Sequence, residues 1–159
     1  IASEADVAVG SVYRLFPDKP SLLAALHERM ENRFIEVMQA AWERTPVFED
    51  KFEYLIEALL AEAELVKDIM PLYSMTKDLV GCSDYQPGIK MVSTINENYA
   101  TGVRAGAFRE IPPQVLGPLA HAMVEGGMRA LMSNPTRANR KLVHKELVDV
   151  FKRSFLVDQ

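Results

Sequence analysis

The chain has 159 residues, of which 48% are hydrophobic and 25% are charged, and its formal net charge is −4. This composition excludes an intrinsically disordered chain, and the mild acidity excludes a protein that coats nucleic acid through bulk charge, although a local DNA-reading face remains compatible with it. The single cysteine, Cys82, excludes an internal disulfide and any multi-cysteine metal site.

The N-terminal residues predict two short helices joined by a tight turn. Residues 1–7 are typical of the end of one helix, residues 8–10 are small enough for a turn, and Ser11 to Phe16 form the second helix. This arrangement is a helix-turn-helix, in which the second helix enters the major groove of DNA. The first residues have neither the basic nor the apolar region of a signal peptide, so none is expected.

After this region, apolar residues recur at helical spacing almost to the end of the chain. One long helix is predicted from Asp18 to about Arg44, with Asp18 as its N-cap, Pro20 in its first turn and Pro46 just after its end. No strand-like alternation occurs, so the predicted fold class is all-α. Further helices are predicted over residues 48–67, 70–79, 89–106, 112–133 and 136–156, with a loop over residues 81–88.

The most apolar stretch, Val115 to Met132, contains three polar residues at every fourth position: His121, Glu125 and Arg129. On a helix these side chains form one polar stripe, which a membrane-spanning segment would seldom carry. We therefore predict a soluble, cytoplasmic protein that makes no contact with a membrane.

The sequence lacks the common motifs of enzymatic chemistry: it has no nucleophile elbow, phosphate-binding loop, dinucleotide fingerprint or zinc-protease helix. His27, His121 and His144 lie on different predicted helices without metal-ligand spacing, and they are expected to be partly exposed. A metal site assembled across helices is the alternative. Gly102 and Gly106 share one helical face, which favours close helix packing. We predict no enzymatic activity, no metal and no cofactor.

The start of the chain carries a motif of spaced residues: Ile1, Ala2, Ala5 and Val7, then Gly10, Ser11, Val12, Tyr13, Phe16, Asp18, Lys19, Leu22 and Leu23. With this motif, residues 1–23 closely resemble the DNA-binding domain of TetR-family transcriptional regulators. The resemblance implies an all-α fold in which a partial helix-turn-helix head, residues 1–19, is joined by the long helix 18–44 to an effector-binding and dimerisation body, residues 45–159. The first helix of the family's head would precede Ile1. Asp6 stands where the family usually has glycine, and aspartate tolerates the turn conformation.

The resemblance also implies a role for individual head residues. Those expected to contact double-stranded operator DNA are Val9, Gly10, Ser11, Tyr13, Arg14 and Lys19. The first three would approach base edges, Tyr13 and Lys19 would hold backbone phosphates, and Arg14 would reach a base or a phosphate. Packing within the head is the alternative role of Tyr13. The implied core of the head consists of Val12, Leu15 and Phe16, against which Leu22 and Leu23 would dock the long helix.

For the body, the resemblance implies an effector pocket between the long helix and the next three helices. Met side chains adapt to irregular ligands, so a small molecule of apolar or aromatic character is weakly favoured. The candidate ligand-binding residues are Tyr54, Glu62, Tyr73, Met75, Met91, Ile95, Asn98 and Tyr99. Each of them has a packing or surface role as its alternative.

The same resemblance implies a homodimer through helices 112–133 and 136–156. The helix over 112–133 is apolar almost all round, so it must be covered on several sides, and a partner subunit would cover it. The alternative is an ordinary buried helix in a monomer.

The sequence thus favours a ligand-responsive regulator of transcription, most simply a repressor that leaves its operator when a small molecule binds. The alternative is a small all-α ligand-binding protein or enzyme that uses the body cavity, with the head as a protein-interaction module.

Overall fold

A computed structural model of the chain describes residues 6, 8–69 and 88–157, and the regular structure within these residues is helical. The helices in chain order are α1 (Val9–Leu15), α2 (Lys19–Glu43), α3 (Phe48–Leu65), α4 (Ile89–Arg104), α5 (Pro113–Ser133) and α6 (Arg137–Phe155). The predicted all-α fold class is confirmed. The helix predicted over 70–79, most of the loop over 81–88 and, apart from Asp6, the helix end over 1–7 lie outside the described residues.

The long helix α2 begins where its capping residue predicts. The Asp18 carboxylate accepts hydrogen bonds from the backbone N–H of Ser21, at 2.7 Å, and from the Ser21 hydroxyl. These two bonds hold the pKa of Asp18 below its usual value, the hydroxyl having the larger effect. Since the lowered pKa favours the charged form in the folded state, this stabilisation is present above the ordinary pKa and is lost only as pH falls through the lowered one.

The C-terminal end of α2 is closed by a buried lysine. Lys51, on α3, is 6% exposed, and its Nζ donates hydrogen bonds to the carbonyl oxygens of Trp42, at 2.5 Å, and Thr45, at 2.6 Å. The last carbonyls of a helix have no partner within the helix and carry partial negative charge, so an ammonium group suits this position. Burial lowers the pKa of Lys51, and the nearby Glu43 opposes that shift.

We expect replacement of Lys51 by methionine to lower the free energy of unfolding by about 1–3 kcal/mol, because two buried carbonyls lose their charged donor. The apolar stem is retained, so the loss reports the ammonium group. Urea denaturation measures it. The matched control is Lys67→Met, since Lys67 is exposed and its removal should change stability by less than about 0.5 kcal/mol. Equal losses of stability in Lys51→Met and Lys67→Met would contradict a stabilising role of the Lys51 ammonium group.

Helix α4 is followed, two residues after its last residue, by a glycine in the left-handed backbone conformation. Gly106 has φ of +72°, its N–H donates to the Val103 carbonyl at 3.0 Å, and the Ala107 N–H donates to the Gly102 carbonyl at 2.9 Å. This pair of bonds is the Schellman motif, in which the helix reverses at a residue that favours the left-handed region. Nothing lies within 4 Å of a Cβ built on Gly106. The prediction that Gly106 allows close helix packing is therefore wrong. Glycine is favoured here by the left-handed backbone conformation.

Substituting Gly106 with valine is expected to cost about 1–2 kcal/mol, because a β-branched side chain is strained at this φ. Gly106→Asn is the matched control and should cost less, since asparagine visits the left-handed region more readily. Thermal unfolding of both variants separates conformational strain from crowding. If contact with neighbouring atoms caused the loss, Gly106→Asn would be destabilised as much as Gly106→Val, and the conformational explanation would be wrong.

The centre of the bundle is an aromatic cluster built around Phe108, which lies between α4 and α5. The Phe108 ring is 2% exposed and lies 5.1 Å from the Phe52 ring and 5.0 Å from the Tyr99 ring, measured between centroids. It also covers Gly102, where a Cβ would come within 2.2 Å of Phe108 Cδ2. Close packing is thus the role of Gly102, as the sequence predicts.

A short pairing of extended backbone ties the α4–α5 connection to the end of α6. Phe108 and Leu156 form an isolated antiparallel bridge, with the Arg109 N–H donating to the Phe155 carbonyl at 3.1 Å and the Val157 N–H to the Ala107 carbonyl at 3.1 Å. These backbone hydrogen bonds fix the α4–α5 connection against the end of α6, and they keep Phe108 in the core.

Three predictions about individual positions are wrong. His27 is 1% exposed, because it follows Leu23 by four residues on the inward face of α2 and therefore shares the buried register. Leu15, expected in the core of the head, is 72% exposed, since a two-turn helix cannot be covered all round by α2, its only described neighbour in the chain. Val9 and Gly10 do not belong to the turn predicted over residues 8–10 but begin α1, which is where the resemblance implies the start of the recognition helix.

Candidate functional sites

The first candidate site is the exposed surface of α1 and the start of α2. Val9 is 60% exposed and Tyr13 is 65% exposed, and their spacing of four residues places them on the same face of α1. Arg14 and Lys19 are exposed as well. Two cations, a phenol and an apolar side chain are thus exposed along residues 9–19.

The remaining two head residues of this site offer small side chains. Nothing lies within 4 Å of a Cβ built on Gly10, so the backbone of α1 is open to close approach there. Ser11 is half-buried. The six expected DNA-contacting residues lie on α1 and at the start of α2, and all of them except Ser11 are exposed. Their contacts with DNA stay a prediction.

Asp6, the one described residue before Ala8, has a left-handed backbone. Its φ is +52°, a region in which a non-glycine residue is uncommon and in which aspartate is tolerated better than most. Aspartate at this position is thus compatible with the backbone conformation.

The second candidate site is an apolar cavity in the body of the protein. Every described helix after α1 contributes to its wall. The lining residues are Phe34, Met38 and Trp42 of α2, Phe52, Leu55 and Leu59 of α3, Met91, Ile95, Asn98 and Tyr99 of α4, Leu116, Ala120, His121, Val124, Glu125 and Met128 of α5, and Phe151 and Phe155 of α6. A wall of this composition suits a small molecule held mainly by apolar contact.

Four of the predicted ligand-binding residues lie in this wall: Met91, Ile95, Asn98 and Tyr99. Tyr99 contributes its ring, because its hydroxyl donates to the Arg109 carbonyl at 2.8 Å and also lies 3.4 Å from the Phe155 carbonyl. Burial raises the pKa of Tyr99, against an opposing effect of Arg109, so the hydroxyl keeps its proton and its bond to the backbone.

The other predicted ligand-binding residues lie elsewhere. The Tyr54 ring packs under the Arg44 guanidinium, whose Cζ is 4.5 Å from the ring centroid. Glu62 is buried and forms a two-pronged ion pair with Arg33, with Nε–Oε1 and Nη2–Oε2 distances of 3.0 and 3.2 Å. Tyr54 and Glu62 therefore join α2 to α3 and do not line the described cavity. Tyr73 and Met75 fall outside the described residues.

Sequence reasoning missed the wall residues on α2 and α5. Phe34 and Met38 were visible as members of an apolar helical face, and His121 and Glu125 as a polar stripe, but nothing local indicated that these faces meet across a cavity. Their meeting depends on the packing of α5 against α4, which is close because Gly117 faces Val92 and Asn96. A Cβ on Gly117 would lie 2.7 Å from Val92 Cγ1 and 2.9 Å from Asn96 Oδ1.

The cavity wall is also fastened to α2 by charged groups. Glu31, which is 2% exposed, accepts a hydrogen bond from the Met91 backbone N–H at 3.1 Å, and so caps the first turn of α4. One turn earlier on α2, Glu28 forms an ion pair with Lys90 at 2.7 Å. These two contacts tie the first turn of α4 to α2.

The described residues contain neither a candidate metal cluster nor a helix that could span a membrane. Within residues 6, 8–69 and 88–157, no three His, Cys, Asp or Glu side chains are grouped so that they could hold a metal ion. None of the helices described is long and apolar enough to span a bilayer.

Comparison with known proteins identifies the fold. No protein-family model matches the sequence, and no curated protein matches it. A solved structure described as a TetR-family transcription regulator from Shewanella sp. PV-4 is similar over 99% of this chain and 85% of its own length, with a TM-score of 0.75 and 23% identity. A TetR-family transcriptional regulator from Pectobacterium atrosepticum is similar over 96% of this chain and 77% of its own, with a TM-score of 0.68 and 18% identity. The chain thus has the fold of these two proteins.

Proposed function

We propose that this protein is a one-component transcriptional regulator that binds operator DNA in the cytoplasm as a homodimer. It acts as a repressor, and a small molecule that enters the body cavity releases it from DNA. The observation that carries the proposal is the course of α2. This helix begins at Lys19, directly after the exposed α1, and further along it contributes Phe34, Met38 and Trp42 to the cavity wall.

The shared helix supplies the mechanism. Two recognition helices of a dimer must lie about 34–36 Å apart to enter successive major grooves on one face of the duplex. A ligand that fits the cavity better in another arrangement of α2 and α4 changes that separation. Only such a differential affinity can couple the sites, and a coupling of about 1–3 kcal/mol weakens operator binding about 5- to 150-fold.

The proposed dimer uses exposed apolar side chains on α5 and α6. Val115 and Leu119 are 51% and 46% exposed, and Leu142 and Val150 are 56% and 45% exposed. We call these four residues the apolar patch. Exposed apolar residues on two adjacent helices suit an interface, and a second copy of this chain would cover them in a two-fold symmetric dimer.

The test is a titration of the protein, as its gene encodes it, against DNA that flanks its own gene. Fluorescence anisotropy at two salt concentrations is compared with scrambled DNA of the same length. We expect tight binding to the flanking DNA that weakens steeply with salt, because phosphate contacts release counterions. Equal affinity for the scrambled sequence at both salt concentrations would overturn the proposal and favour a helical ligand-binding protein or enzyme whose head binds another protein.

The roles proposed for the head residues predict a difference between two variants. Lys19→Ala should weaken binding to all sequences alike and lower the slope of log affinity against log salt by about 0.9 for each phosphate that is no longer neutralised. Ser11→Ala should leave the slope unchanged and alter the sequence preference. Lys67→Ala, which removes an exposed lysine of the body, is the control and should change neither. Equal losses from Lys19→Ala and Ser11→Ala on specific and scrambled DNA would contradict these roles.

A further inference from the structure

The side chain of Asn98 is an unexplained polar group in the cavity wall. Its Nδ2 is buried and has no hydrogen-bond partner among the residues that the structure describes. The backbone carbonyl of the same residue is occupied by the Thr101 hydroxyl, at 2.6 Å, so only the side-chain amide is left over. Buried donors without a partner are rare and costly in folded proteins, and one that lines a cavity marks the place of a ligand acceptor.

Among the described wall residues, the neighbours of Asn98 along α4 do not compete for that ligand group. The hydroxyl of Tyr99, the next residue, is bound to the Arg109 carbonyl, while Ile95, one turn earlier, is apolar. The described surroundings of the Asn98 amide are therefore mainly apolar, and a hydrogen bond donated in such surroundings is strengthened.

The other polar side chains of the described wall lie at the opposite end of the cavity. His121 Cε1 lies 3.7 Å from the position of a Cβ on Gly88, at the beginning of α4, and Glu125 follows one turn later on α5. Asn98 comes ten residues after Gly88, a rise of roughly 15 Å along α4. Between these two ends the wall is apolar, so the body of the ligand must be apolar as well.

The charges in the described part of the wall disfavour an anionic ligand. The described lining includes one carboxylate, Glu125, and neither lysine nor arginine. Arg129 pairs with Glu125 at 3.1 Å, but its side chain is 76% exposed and lies outside the wall. An anionic ligand would lose its hydration in the cavity without gaining a countercharge.

We propose that the ligand of this cavity is an uncharged, mainly apolar molecule carrying a hydrogen-bond-accepting oxygen, which the Asn98 amide binds. This inference rests on the cavity being the effector site of the proposed regulator, and it names the class of that effector. A ketone, an ester or an aryl ether has this chemistry. A fatty acid or a phosphate ester does not.

Three probes of similar shape test the proposal: benzophenone, which carries a carbonyl, diphenylmethane, which lacks it, and the diphenylacetate anion. Trp42 is the only tryptophan of the chain and lines the cavity, so its fluorescence reports entry, and calorimetry gives the affinities. We expect benzophenone to bind about tenfold more tightly than diphenylmethane, as one buried hydrogen bond provides, and diphenylacetate to bind most weakly.

Variants of the wall assign the preference to Asn98. Asn98→Leu should bind diphenylmethane at least as tightly as the wild type does and lose the preference for benzophenone. Tyr99→Phe is the matched control, because the Tyr99 hydroxyl is already bound to the backbone, and it should keep the full preference.

Two outcomes would overturn this inference. Equal binding of benzophenone and diphenylmethane to the wild type, or a preference that survives in Asn98→Leu, would show that the amide does not select the ligand, while the proposed regulator would stand. If none of the three probes changed the Trp42 fluorescence or released heat, the cavity would not be a ligand site. That result would overturn both this inference and the effector-responsive part of the proposed function.

Discussion

Replacing Phe108 by alanine is expected to destabilise the protein by about 3–5 kcal/mol, the range for deleting a buried phenylalanine. The Phe108 ring packs against aromatic side chains from three helices: its centroid lies 6.0 Å from that of Trp42, 5.1 Å from that of Phe52 and 5.0 Å from that of Tyr99. It also fills the space above Gly102, so its removal leaves a cavity that a rigid helix backbone cannot close. The loss therefore includes transfer, aromatic packing and cavity formation.

Urea denaturation followed by Trp42 fluorescence measures this loss. Phe108→Leu retains part of the side-chain volume and should cost clearly less than Phe108→Ala. Leu65→Ala removes a side chain that is 77% exposed and should fall within about 0.5 kcal/mol of the wild type. If Phe108→Ala cost no more than Leu65→Ala, the proposed centre of the core would be wrong.

The close approach of Phe108 to Gly102 gives a second measurement on the same cluster. Gly102→Ala would place a methyl group against the Phe108 ring and destabilise the protein by about 1–3 kcal/mol. In the double variant Gly102→Ala, Phe108→Ala, the ring is absent, so the added methyl should cost less than it does alone. Additive losses would show that the two positions do not interact.

The second large effect is expected at the proposed dimer interface. Leu142→Glu places a carboxylate within the apolar patch, and in a two-fold symmetric interface every substitution occurs twice. Burying an unpaired charge is very costly, so we expect dimerisation to weaken by at least about 100-fold, equivalent to about 2.7 kcal/mol. Operator affinity should fall with it, because a monomer holds only one half-site.

Light scattering and operator titration at the same protein concentrations test this prediction. Val47→Glu is the control, because Val47 is 44% exposed but lies in the turn between α2 and α3, outside the apolar patch. It should leave mass and affinity unchanged, and helical content should be equal in both variants. A Leu142→Glu protein that keeps the mass of the wild type would exclude the apolar patch as the interface.

Much of the local structure was predictable because its causes lie within a few residues. The start of α2 follows from Asp18 and from Pro20, and the predicted and observed bounds of this helix differ by one residue at each end. The resemblance of the first 23 residues to TetR-family heads led to the fold that the solved structures share. Both inferences depend on residue type and spacing along the chain, which the sequence contains in full.

The site in the body was predictable only in part. Met91, Ile95, Asn98 and Tyr99 line the described cavity, because their helix faces it, and their contact with a ligand stays a prediction. Glu62 was misplaced, since a carboxylate at the border of an apolar face suits an ion pair with Arg33 as well as it suits a ligand. Nothing in the sequence distinguishes these two partners.

The amino-acid sequence by itself determined the helices, their caps and the type of fold, because capping, turn formation and helical periodicity act between residues close together in the chain. Only the tertiary structure decided which faces meet. It brought Phe108 from a connection into the aromatic core, placed His27 in the interior, and left the Asn98 amide without a partner in the cavity wall. These outcomes depend on the positions of several helices at once, so no single stretch of sequence contains them.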